Sequence, residues 1–133
     1  MLPDPPSALL DLTYRPDLQV LIGRWRDQLA LAELPAAYEQ LHRATLTHGA
    51  HRWLQDIRRR SLNDDDTTAW LIASYFPALA SSLGHPLRIA YLVGPALHER
   101  IAAHPALDVV PAQPFTLALF GEEGAAMEWL QAG

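Results

Sequence analysis

The chain has 133 residues, 50% of them hydrophobic and 19% charged, with ten basic residues (all arginine), no cysteine and a formal charge of −5. That composition excludes a disordered or fibrous chain. The missing cysteine excludes a disulfide framework, a thiol nucleophile and any Cys-ligated zinc or iron–sulfur site, and the negative balance argues against general nucleic-acid binding, which needs a net or clustered basic surface.

Residues 1–8 read as a Pro-rich lead-in and 9–133 as a single domain, a size that buries roughly two-thirds of its unfolded surface. The opening MLPDPPSALLDL lacks a basic n-region and is broken by three early prolines, so no secretory signal is expected. No apolar run reaches the roughly 20 residues of a membrane span. A cytoplasmic protein is the expectation.

Leu9 to Tyr14 alternates partly, and Arg15-Pro16-Asp17 is a turn signal. Leu18 to Trp25 reads as a second strand, which makes a β-hairpin. Gly23 within it marks a bulge or a close packing approach. Leu29 to Leu46 is the first helix, with Leu31, Leu34, Tyr38, Leu41 and Thr45 three or four apart, and Gly49 is its left-handed stop. Arg52 to Ile57 is a short strand, followed by the loop RRRSLNDDD. Asp64, Asp65 and Asp66 suit the N-terminus of a helix reaching Leu83, which Pro77 must kink or split near Phe76. Leu87 to Val93 is nearly continuous apolar sequence, the pattern of a strand covered on both faces. Ala96 to Ala103 is a helix, Pro111 and Pro114 punctuate an extended link, Phe115 to Phe120 is the last strand, and Glu122 to Gln131 closes as a helix. The order β-β-α-β-α-β-α-β-α predicts an α/β sandwich: an N-terminal hairpin, then a mixed, mostly parallel sheet with helices packed on it.

This arrangement resembles the STAS-like, SpoIIAA-like superfamily of small bacterial α/β proteins. The match is strongest in FTLALFGEEGAAMEWLQ, where Phe120, Glu122, Glu123, Ala126, Trp129 and Leu130 resemble the family's closing segment. WLQDIRR, with Asp56, looks like its third strand, and LRIAYLVG like the strand after that. The resemblance spans most of residues 9–131. Its motifs are apolar strands and one Trp-Leu ending, with no catalytic signature. It implies a STAS-like fold and a regulatory, protein-binding role. Anti-sigma-factor antagonists of this superfamily carry a phosphorylatable Ser or Thr at the start of the helix after the third strand, and Thr67 is the nearest counterpart. The loop here is longer and lacks the family's Asp-Ser-Ser-Gly stretch, so Thr67 and the three Asp residues also read simply as a helix cap.

Three arginines, Arg58, Arg59 and Arg60, follow the third strand, and ligands of open α/β sheets gather beyond the carboxyl ends of strands. Against an anion site stand Asp64 to Asp66, which neutralise the loop. Six histidines form no HExxH pair or comparable ligand spacing, so neither metal nor cofactor is expected. No G-x-S-x-G or Gly-rich phosphate loop occurs. Asp56 reads as a buried acid or as an acceptor for a neighbouring loop's N–H groups. The helix over 65–83 is apolar nearly all round, so one side of it has no evident partner. That surplus predicts a non-enzymatic binding domain, homodimeric or docking another protein through Trp70, Tyr75, Phe76 and Leu79, with Arg58 and Arg59 as a polar edge. The alternatives are a carrier whose pocket for a small apolar or lipid-like ligand is roofed by the same helix, and an enzyme whose polar groups converge only in three dimensions.

Overall fold

Five short segments rich in β-branched, aromatic and leucine side chains pair into one mixed sheet. The computed structural model describes residues 10–25, 34–59, 69–103 and 114–132. β1 (Leu10–Arg15) and β2 (Val20–Trp25) form the antiparallel hairpin. α1 (Leu34–His48) leads to β3 (Arg52–Asp56). A π-helical turn (Leu71–Tyr75) runs into α2 (Phe76–Leu83), then come β4 (Leu87–Leu92), α3 (Pro95–Ala102), β5 (Phe115–Phe120) and α4 (Glu123–Ala132). The sheet order is β1-β2-β3-β4-β5, with β2 to β5 mutually parallel. The lead-in 1–8, the first residues of the helix expected over 29–46, the loop from Arg60 through Thr67, and Pro111 lie outside the described residues.

Parallel strands laid down in chain order, joined by right-handed crossovers, must put every crossover helix on the same face. α1, α2 and α3 accordingly share one core with Leu21, Trp25, Trp53, Ile57, Leu87, Ile89 and Phe115. The opposite face carries Val20, Ile22, Leu54, Ala90 and Leu92, and α4 covers it with Ala126 and Leu130. β4, an interior strand packed on both faces, is the one that reads as a nearly continuous apolar run.

Pro77 does split its helix. With no N–H it cannot donate to the carbonyl four residues back. The chain absorbs the defect as a π turn, in which the Phe76 N–H bonds the Leu71 carbonyl, and Pro77 falls in the first turn of α2. Gly84 ends α2 at φ 73°, a left-handed conformation that suits glycine.

Gly23 is a close approach and not a bulge. The β1–β2 and β2–β3 pairings run through it without interruption. A Cβ there would lie 2.9 Å from both amide atoms of Gln55, a buried side chain whose Oε1 accepts a 2.8 Å hydrogen bond from Trp25 Nε1. Gly23→Ala is therefore expected to lower stability by about 1–3 kcal/mol, because the displaced amide breaks a buried hydrogen bond. Pairing it with Gln55→Ala should recover part of the loss in a denaturant-unfolding double-mutant cycle; strictly additive costs would contradict the contact.

Candidate functional site

β2 and β3 run parallel, so their last residues emerge at one edge, with Arg24 opposite Asp56. Alternation points both to the α4 face. Asp56 Oδ2 accepts from Arg24 Nη1 at 3.0 Å and from Arg58 Nη2 at 2.8 Å. Its Oδ1 accepts from Arg58 Nε at 3.0 Å and from the Arg58 backbone N–H at 3.1 Å. Arg24 Nη1 also reaches Glu123 Oε1, at 2.8 Å, in the first turn of α4. Burial by itself raises the Asp56 pKa. The side-chain and backbone bonds from Arg58, its charge, and the bond from Arg24 outweigh that and hold the carboxyl below its usual range. A general acid or base needs a pKa near the working pH, and this carboxylate is moved away from it. The cluster acts as a strut tying the ends of β2 and β3 to α4.

At the same edge, on the three-helix face, four rings pack in tilted and edge-to-face contacts. Trp25 and Tyr38 lie 5.2 Å apart, Tyr38 and Tyr75 also 5.2 Å, and Trp70 caps both tyrosines at 5.6 and 5.1 Å. The Tyr75 hydroxyl donates to the Tyr38 carbonyl at 3.0 Å, which ties the π turn to α1. Burial, with Tyr38 adding, pushes the Tyr75 phenol well up, so it stays neutral. Trp70 remains 45% exposed. Beneath this stack, Gln55 Nε2 and Trp53 Nε1 are buried without an acceptor among the described residues.

The structure brings the Trp70 and Tyr75 rings together across the π turn and separates them from the rest of the expected contact set. Phe76 and Leu79 are 1% and 0% exposed, in the core against the sheet, and do not belong to an outer face. The outward side of this segment is Ala73, Ser74, Ala78, Ser81 and Ser82, so the expected apolar surplus there shrinks to Trp70. Arg58 turns to Asp56, away from the aromatic step, while Arg59 is exposed. Thr67 lies outside the described residues. Asp56 does serve a loop N–H, that of Arg58, and holds two guanidiniums as well.

Arg24 and Glu123 were invisible as a pair in the sequence, because 99 positions separate them. The available signal was their placement at one edge: the last outward position of β2 and the first turn of the helix after β5. Among the described residues no group of three or more His, Asp or Glu side chains is placed to hold a metal, and no helix is long and apolar enough to cross a membrane. An open groove of about 420 Å³ is lined by Ala80, Ser81, Gly84, His85, Pro86 and Pro114. It sits where β4 and β5 begin, at the opposite end of the sheet from Arg24 and Arg58, so those two guanidiniums and the groove do not face one small ligand together.

Asp56 has a lowered folded-state pKa, so its contribution to stability is full above the unfolded value of about 4 and is lost as pH falls through the folded value. Chemical denaturation of Asp56→Asn should show about 1–3 kcal/mol less stability at neutral pH and a shallower loss between pH 5 and 2, about the range over which the wild-type carboxylate takes up its proton. Equal acid sensitivity in both proteins would contradict the strut.

No family model matches the chain, and no curated protein matches it.

Proposed function

We propose that the chain is a STAS-like binding domain of bacterial regulatory type, without catalytic chemistry of its own, that works by protein–protein contact and self-associates. The observation that carries this reading is Trp70. Among the described residues only it and Leu46 are large hydrophobic side chains left exposed. Unlike a stray surface side chain, Trp70 is fixed by two tyrosine rings, one of them tied to the α1 backbone. A rigid, half-exposed indole loses little conformational freedom on binding, which is why such rings anchor protein interfaces. The contact is assigned to Trp70 and Tyr75. The mixed five-stranded sheet with helices on both faces supports the α/β part of the reading, and the STAS-like part rests on the sequence resemblance alone.

A photo-crosslinking phenylalanine analogue at position 70, activated in living cells, should give a defined covalent adduct with one other protein. The same group at position 46 should give none. Equal or absent adducts at the two positions would overturn the assignment.

A further inference from the structure

The two edges of the sheet are not equivalent. β1 carries Asp11 and Arg15, and Arg15 pairs with Asp17 at 2.7 Å. Charges on an edge strand discourage a further strand from adding. β5 reads FTLALF, six residues with no charge and no proline, and no described strand lies beyond it. Thr116 is exposed, and Leu117, Ala118, Leu119 and Phe120 are half-buried.

The backbone of β5 fixes what could join it. The Pro114 and Phe120 carbonyls accept from Leu87 and Val93, so even-numbered residues turn their polar groups to β4. Odd-numbered residues, Phe115, Leu117 and Leu119, turn N–H and C=O away from β4, to an edge with no partner strand among the described residues. We propose that this edge pairs with β5 of a second copy of the chain, antiparallel about a two-fold axis normal to the sheet and centred on Leu117. In that register Leu117 meets Leu117, and Phe115 meets Leu119. Each pair has both backbone groups aimed across the join, as hydrogen-bonded antiparallel pairs require. Side-chain parity is satisfied as well. The apolar pairs meet on the three-helix face, Thr116 meets Ala118 on the other, and neither strand brings a charged residue to the join. A symmetric, self-complementary patch is what a closed dimer needs. The inference rests on the self-association in the reading above but moves it away from Trp70. That ring stands over Tyr38 and Tyr75, at the β2 side of the sheet, and stays free for a different protein.

Sedimentation velocity of the purified chain should give about twice 14.8 kDa. Leu117→Pro removes an N–H that faces the free edge and not β4, so it should yield a folded monomer by circular dichroism and sedimentation. Thr116→Lys, at an exposed position, adds a charge beside the join and should also shift the chain to monomer, which decides the matter if the proline variant folds poorly. Trp70→Ala should remain a dimer. A wild-type chain that stays at 14.8 kDa overturns the join, while the Trp70 contact stands or falls on its own cross-link. A dimer that survives Thr116→Lys, or one lost in Trp70→Ala, also overturns the β5 join.

Discussion

Chain-order stacking of parallel strands is the constraint from which most of this structure follows. Once each crossover turns the same way, three helices crowd one face of the sheet and the other is left to whatever follows β5. That task falls to α4, a ten-residue helix burying only Ala126 and Leu130 fully. So small an apolar contact is supplemented by polar ties along its length. Glu123 holds Arg24 at the first turn. Arg88 lies 3.7 Å over the Trp129 ring and donates twice to the Trp129 carbonyl, at 3.0 and 2.7 Å. Gln131 reaches the Leu18 carbonyl at 2.9 Å. The arginines near the sheet thus serve to fasten a sparsely packed helix. Guanidinium suits this work because it is planar, always charged and able both to stack and to donate from several nitrogens.

The fold was largely legible. Short apolar, β-forming runs and the turn residues between them located the strands to within a residue or two, and FTLALF was bounded correctly at both ends because Pro114 and Gly121 punctuate it. The nearly continuous apolar run from Leu87 marked the two-sided burial of β4. Gly23 was legible as an exception, and the structure decided between its two meanings. Tertiary charge pairing was not legible. Arg58 looked as though it belonged to the acidic run after it, yet it folds back on Asp56 two residues earlier, since a strand-end carboxylate with an unsatisfied turn N–H beside it is the nearer partner. Spacing along one dimension carries no information on contacts such as Arg24 to Glu123.

The edge at the carboxyl ends of the strands shows how alternation sorts chemistry between two faces. Neighbouring positions on β3 lead to different environments: Gln55 points under the aromatic stack and Asp56 into the ion cluster. One backbone step separates the buried floor of the ring assembly from a half-exposed charge network. The same parity that sorts these side chains also sorts backbone donors at β5, where every second residue is spent on β4 and every other one faces outward.

The π turn changes how the apolar excess of residues 69–83 is counted. In an unbroken α-helix each residue turns about 100°, which would set Leu71 well round the axis from Phe76. With a five-residue hydrogen bond in place, Leu71 comes nearly beneath Phe76, and Leu71 and Ile72 are both buried. The turn works as a phase shifter that folds two apolar stripes into one. A helical wheel drawn through this segment overstates its hydrophobic girth, and a proline that looks like a defect allows a helix of such composition to present alanine and serine to water.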